Sequence, residues 1–275
     1  PYTAAHHLIL SHAKAVQIFR SEFAAQQGRI GVVNNCDYRI PLTDSDADKA
    51  AAERSLIFFL GWFADPIWKG DYPEVMRERL GGRLPTFTEK ERELVLGSSD
   101  FFGLNHYSTM YASEPAPDEV LDANIAGNGG MIEDQDVHLS IDPEWKRTQM
   151  EWSIVPEGCR ELLKWIDARY DHPPVYITEN GCALDEPDHE TGINDTMRRD
   201  FFDGYLRECR NAIRQGVDLQ GYFAWSLLDN FEWSWGYERR FGLIRVDYKT
   251  QQRTLKRSAR WYRDTIACNG TNLVD

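Results

Sequence analysis

Apolar positions along the chain alternate between helical and extended periods. Residues 3–26 carry Leu8, Ala15, Val16, Phe19 and Phe23 at near-helical spacing, and Gly28 offers the stop. Arg29 to Asn34 (R-I-G-V-V-N) is short, β-branched and apolar, the pattern of a strand buried on both faces. Helical patterning returns from about Asp46 to Phe63 and gives way to a Trp-, Pro- and Gly-rich stretch from Gly61 to Pro73. It resumes in a short helix for which Thr88 and Glu91 supply a capping box. A second strand is predicted over Asp100 to Tyr107, followed by a long polar loop, Ala112 to Glu151, that contains Gly127, Gly129 and Gly130. A structureless stretch of that length is characteristically functional or disordered.

The same reading places a third helix from Pro156, with Leu162, Leu163 and Ile166 inside, feeding a third strand, Val175 to Thr178. A fourth helix begins after Asn194 or Asp195 and has Phe201, Phe202, Tyr205, Leu206, Cys209 and Ile213 on its buried stripe. The fourth strand is Gly221 to Ser226; a hairpin around Lys249 and a last helix from Leu255 to Ile266 follow. Strict strand–helix alternation predicts a parallel sheet with helical crossovers. Although 275 residues would suit a complete eight-stranded α/β barrel, only four strands are found. Four βα units behind a helix without a strand of its own are what remains when such a barrel is cut after strand four. The expectation is one domain over residues 1–275, open at two parallel edges that invite a missing N-terminal half.

Composition narrows the partners. Hydrophobic residues make up 42% and charged residues 27%, enough for a packed core. A formal charge of −13 argues against nucleic acid, whose binding requires Lys and Arg on phosphates. No apolar run is long enough to span a bilayer. Five scattered cysteines, Cys36, Cys159, Cys182, Cys209 and Cys268, form no C-x-x-C pair and read as reduced thiols of a cytoplasmic protein. The seven histidines lack metal-ligand spacing, and no glycine-rich phosphate loop follows a strand, so neither metal nor cofactor is expected.

Chemistry gathers at three strand ends, where barrel enzymes place their sites. The third strand ends Ile177-Thr178-Glu179-Asn180-Gly181, which presents a carboxylate at the strand mouth with a glycine after it to turn the chain. Alone, such a glutamate is an ordinary solvated residue. The second strand ends Asn105-His106-Tyr107, and the fourth runs into W-S-L-L-D-N-F-E-W-S-W-G-Y, Trp225 to Tyr237. That mixture of indoles and carboxylates suits a sugar, whose C–H faces stack on indole and whose hydroxyls pair with carboxylates and amides.

These strings, I-T-E-N-G, N-H-Y and W-S-L-L-D-N-F-E-W-S-W-G-Y, closely resemble the family 1 glycoside hydrolases, chiefly β-glucosidases. The opening A-A-H-H-L-I-L-S-H-A-K-A-V and the string R-F-G-L-I-R-V-D-Y are similar to the family's helix after T-F-N-E-P and to its C-terminal hairpin, so the resemblance covers essentially the whole chain. It implies the C-terminal half, strands five to eight, of a (β/α)8 TIM barrel, and a retaining β-glycosidase acting on terminal β-D-glycosides. By the same resemblance, Glu179 is the nucleophile that forms a covalent glycosyl-enzyme, Tyr107 orients it and keeps it ionised, and Asn105 lines the sugar pocket. Trp225 is the platform under the sugar, Glu232 and Trp233 read its hydroxyls, Phe241 is an apolar wall and Trp152 flanks the aglycone entrance.

A retaining glycosidase needs two carboxyl groups, one to attack and one to protonate the leaving oxygen. The family carries the second in N-E-P, which does not occur in these residues. Asp65-Pro66, in the Trp-rich stretch, does not occupy the family's position. The chain is therefore expected to be inactive until an N-terminal half joins it. Glu232 argues for an unphosphorylated sugar, since a carboxylate repels phosphate. The alternatives are a catalytically silent carbohydrate-binding relative and a structural partner in a split barrel.

Overall fold

The computed structural model describes residues 1–116, 119 and 130–270; Gly127 and Gly129 of the long polar loop lie outside them. The elements run α1 (Tyr2–Glu22), β1 (Val32–Asn35), β2 (Tyr38–Pro41), α2 (Asp46–Leu56), a π-helical turn at Ile57–Gly61, α3 (Trp62–Lys69), α4 (Glu74–Leu80) and α5 (Glu89–Val95). They continue with β3 (Phe102–Asn105), β4 (Thr109–Ser113), α6 (Met131–Gln135), β5 (His138–Ser140), α7 (Pro156–Arg169) and β6 (Val175–Asn180). The last are α8 (His189–Ile193), α9 (Thr196–Arg214), β7 (Leu219–Ala224), β8 (Ile244–Val246), β9 (Arg253–Leu255) and α10 (Arg257–Cys268).

Four strands form the principal sheet in the order β1-β3-β6-β7, every pair parallel. Sequence order and spatial order coincide, which is the winding of consecutive units in a barrel; an open doubly wound sheet would reverse. The two inner strands are largely buried, whereas the outer two are not: Val33 of β1 is 47% exposed and Phe223 of β7 is 57% exposed. Apolar hollows of about 520 and 600 Å³ lie along these two flanks, one beside Val32, Val33, Phe59 and Trp62, the other beside Ile213, Leu219, Tyr222 and Ile266. An apolar strand edge left in water is the condition a closed barrel removes.

The main core packs β3 and β6 against α7 and α9, with Leu104 and Ile177 meeting Leu162, Leu163, Ile166, Phe201, Phe202 and Tyr205. A second core gathers α1, α3, α4 and α5 around Trp62, Ile67, Tyr72 and Phe87. The capping box of α5 forms as the sequence predicts, Thr88 and Glu91 each bonding the other's backbone amide.

Several sequence expectations are corrected. Helix α1 buries Ala5, His6, Ile9, Leu10, Ala13 and Val16, while Leu8 is 64% exposed and Phe23 lies on the surface. The packed face runs through Tyr2, Ile9, Leu10 and Val16 with two alanines between them, and it includes His6, which stacks on Phe87 and bonds the Tyr72 hydroxyl; of the five positions expected inside, Val16 alone is fully buried. The helix ends at Glu22, well before Gly28, and the left-handed residue behind it is Gln27. The first strand starts at Val32 and is an edge rather than a strand buried on both faces. Helical structure continues past Phe63 to Lys69 and carries Pro66 inside it; Asp65 there is tied to Arg169 Nη2 (2.6 Å) and Tyr170 Oη (2.8 Å), and such tertiary anchoring outweighs proline's local penalty. The predicted loop over 112–151 is not structureless: it contains the end of β4, α6 and β5. On α9, Leu206 is half-buried and Ile213 faces one of the open flanks.

A small sheet, β2-β4-β5, flanks the barrel strands. Behind the loop that follows β7 sits a knot of buried charge. Arg198 pairs with Asp195 (2.5 Å) and Glu186 (3.0 Å), Lys256 with Glu186 (2.5 Å) and Asp229 (2.9 Å), and Arg240 with Asp229 (2.6 Å). Asp229 also accepts the backbone amides of Gly242 (3.0 Å) and Val246 (3.2 Å), so one carboxylate fastens both arms of the segment from Trp225 to Val246.

Candidate active site

Two irregularities in the sheet aim the candidate nucleophile. The β3–β6 register shifts between Leu104 and Asn105, and the β6–β7 register shifts between Ile177 and Asn180. Both fall beside Thr178 and Glu179, and such bulges redirect side chains at strand mouths. Asn105 then stands opposite Glu179, and its Oδ1 accepts from the Thr178 hydroxyl at 2.7 Å. The Glu179 carbonyl accepts the His106 amide at 3.0 Å. Asn180, fully buried, clamps three strand ends: its Nδ2 donates to the His106 carbonyl (2.7 Å), its Oδ1 accepts from Tyr222 Oη (2.5 Å), and its carbonyl accepts the Trp225 amide (2.8 Å).

Tyr107 Oη donates to Glu179 Oε2 at 2.6 Å. The ring that carries this hydroxyl is fixed by its neighbours, with Trp152 at 5.1 Å between centroids and Phe241 edge-on at 6.3 Å. Burial first, and then the hydrogen bond to and the charge of Glu179, push the phenol far above its ordinary titration range, so Tyr107 remains a donor wherever the fold persists. A neutral phenol aimed at a carboxylate orients it without neutralising it.

Gly181 follows Glu179 for a reason other than the turn expected of it. A Cβ there would lie 1.9 Å from the Trp225 carbonyl oxygen, and its φ is not in the left-handed region. The strand bearing Glu179 and the residue at the head of the aromatic loop therefore touch backbone to backbone. Trp225 is joined to Ser226 through a cis peptide bond. Beyond it Glu232 is nearly enclosed, with a carboxyl held above the ordinary carboxylate range by burial first and by the Glu179 charge second; a hydrogen bond from the Trp225 side chain pulls the other way. Trp233, 80% exposed, has a φ of 43°, an uncommon conformation for a bulky residue and one that occurs at ligand clamps.

One cavity of about 660 Å³ is lined by all eight residues singled out from sequence: Asn105, Tyr107, Trp152, Glu179, Trp225, Glu232, Trp233 and Phe241. The structure adds Asn35, Asp37, Arg39, Phe59, Met110, Met150, Ser234 and Trp235. Asp37 and Arg39 have no sequence signal of their own, because the side-sheet strand that carries Arg39 and begins just after Asp37 was not predicted. Asn180 was visible as part of a motif, but its clamping role is not. Asp65 lies apart from this cavity and holds helix α7 through Arg169. The arrangement offers a carboxylate free to attack, a fixed phenol beside it, an indole platform and a second carboxyl able to accept from hydroxyls.

A family model described as glycosyl hydrolase family 1 matches residues 1–271. Beta-glucosidase 4 of Oryza sativa subsp. japonica is 44% identical over 270 residues, which are 95% of this chain and 55% of the rice protein. A rice β-glucosidase variant, solved in a covalent complex with Glc, superposes with a TM-score of 0.88 at 39% identity, covering 96% of this chain and 56% of that one. A family 1 β-glucosidase from the fungus Humicola insolens, solved in complex with glucose, gives a TM-score of 0.89 at 36% identity, covering 98% of this chain and 57% of that one. The chain thus spans little more than half the length of the relatives it matches.

Proposed function

The chain belongs to glycosyl hydrolase family 1 and folds as the C-terminal half of its (β/α)8 barrel, and from that premise we propose that it is the nucleophile-bearing part of a retaining β-glycosidase. Glu179 attacks the anomeric carbon of a terminal, unphosphorylated β-D-glycoside and holds the sugar covalently. A carboxyl from an N-terminal half protonates the departing oxygen and then activates water. The observation that carries this reading is the 2.6 Å hydrogen bond from Tyr107 to Glu179 inside the Trp-lined cavity. The covalent Glc complex of the rice relative supports the same chemistry.

The residues divide the work. Trp225 offers its face to the pyranose, Glu232 accepts from hydroxyls, and Phe241 and Trp152 restrict the approach while holding Tyr107. A 6-phosphate would meet the carboxyl of Glu232, which favours a neutral sugar. The open edges at β1 and β7 support the view that the N-terminal half docks there and completes both barrel and site.

The test joins the chain to the N-terminal half of a family 1 enzyme and treats it with an activated 2-fluoro-β-glucoside. Mass spectrometry should find one sugar on Glu179, and an aryl β-glucoside should be cleaved by the joined protein but not by the chain alone. A sugar on another residue, or undiminished cleavage by Glu179→Gln, would remove Glu179 from its role. A silent binding relative would bind sugar and take no label.

A further inference from the structure

Arg39 is 1% exposed yet forms no ion pair among the described residues, no carboxylate coming within 4.0 Å of it. Its Nε donates to Ser55 Oγ at 3.2 Å and its Nη1 to the Tyr38 carbonyl at 3.3 Å, and the guanidinium lies 5.3 Å from the centre of the Phe59 ring. Nη2 has no partner among the described residues, and it is not sealed inside the protein either; Arg39 lines the same cavity as Glu179. A buried cation is costly unless an anion or several acceptors meet it. Here the side chain is packed from behind by an aromatic ring and a hydroxyl, with its free edge turned to the cavity.

Its position in the fold says which part of a substrate it meets. The residues suited to the sugar follow β7, at one edge of the sheet, and Glu179 ends β6 beside it. Arg39 lies in β2, which belongs to the flanking small sheet and follows directly on β1, the strand at the opposite edge; it is paired there with Met110 of β4. A glycoside whose anomeric carbon sits at Glu179 and whose sugar extends toward Trp225 directs its leaving group toward β2. Of the other charged residues lining this cavity, Asp37, Glu179 and Glu232 are acidic, and Asp37 is already engaged by the Ser108 amide at 3.0 Å. A free anion is repelled by that set, whereas one tethered to a sugar is delivered to the single guanidinium.

We infer that Arg39 forms a leaving-group subsite for an aglycone bearing a carboxylate, which the planar guanidinium engages through its unused N–H groups. This rests on the glycosidase reading above and names the substrate class that reading leaves open. A planar oxyanion matches a guanidinium fork better than a neutral amide does.

The test uses the chain joined to an N-terminal half and compares 4-carboxyphenyl with 4-carbamoylphenyl β-D-glucoside, for the wild type and for Arg39→Gln and Arg39→Lys. The ratio of kcat/KM, acid over amide, should fall about tenfold in Arg39→Gln and less in Arg39→Lys. Turnover of the amide should stay within about twofold, which also reports that the variants fold. An unchanged ratio overturns the proposal, as does an equal loss on both substrates. Calorimetry with the corresponding 1-thio-β-glucosides, which can bind without being cleaved, decides the matter independently of turnover. If no form cleaves either glucoside but the acid thioglucoside binds more tightly through Arg39, the hydrolase reading fails and the subsite stands. If the two thioglucosides bind wild type and Arg39→Gln with the same relative strength, the subsite fails.

Discussion

Around Asp229, Glu186, Lys256 and Arg198, each carboxylate meets at least one cation inside the protein, at 2.5 to 3.0 Å. In the neighbouring cavity Glu179 is held by a neutral phenol, Glu232 has the Trp225 side chain, and Arg39 has a hydroxyl, a carbonyl and a ring. Both groups of charge are largely withdrawn from water. The first is closed on itself and fixes a loop; the second leaves its charges partly unanswered, as a place that receives a polar molecule must.

Substitutions separate the two, and the largest effect is expected in the cavity. Glu179→Gln should lower kcat on an aryl β-glucoside by about 10⁴-fold or more in the joined protein, while shifting its urea unfolding by no more than about 0.5 kcal/mol. Asp229→Ala should do the reverse in kind. It takes from Arg240 its carboxylate, leaves Lys256 with Glu186 alone and frees the amides of Gly242 and Val246, so denaturant titration should reveal a loss of about 3–5 kcal/mol, with activity falling only as the aromatic loop loosens. Equal unfolding midpoints for the two variants would erase the distinction.

Smaller effects sharpen it. Tyr107→Phe keeps the ring between Trp152 and Phe241 and deletes only the bond to Glu179, so steady-state kinetics should show kcat reduced about 10- to 100-fold with little change in KM. Glu232→Gln should raise KM for a β-glucoside about tenfold. The same variant should change the pH dependence of stability. A carboxyl whose folded pKa is raised favours the folded state while it is protonated, and that contribution is lost as pH rises through the folded value. Thermal unfolding just above the ordinary carboxylate range should therefore decline less steeply in Glu232→Gln than in the wild type; an equal or steeper decline would contradict the assignment of burial as the cause.

The strand ends that line the cavity were legible because their chemistry is written in contiguous residues: Glu179 with Asn180 and Gly181, Asn105 with Tyr107, and Trp225 through Trp233. The parallel order followed from apolar runs separated by amphipathic helices, and the number of barrel strands was readable too. Less visible were elements whose stability is tertiary. Strands β2, β4 and β5 are short and gain their partners only across long sequence separations, so no local period announces them. The inner face of helix α1 mixes alanines and a histidine with its apolar residues while Leu8 and Phe23 point outward, which blurs its period, and Pro66 reads as a break until Arg169 and Tyr170 are seen to grip the aspartate before it. Arg39 escaped notice for the same reason as its strand: only the folded chain brings it round to the cavity that Glu179 faces.

The contact between Gly181 and the Trp225 carbonyl reaches beyond local packing. It makes the backbone that carries Glu179 and the backbone that carries Trp225 parts of one piece, so neither side chain can drift without displacing the other. Divergence within such a scaffold is then channelled to the far bank of the pocket, where Arg39 and Met110 sit on the separate small sheet and Asp37 just before it. If the proposed function holds, a lineage altering what hangs from the sugar could do so there by single steps, while a change of the sugar itself would require several coordinated ones.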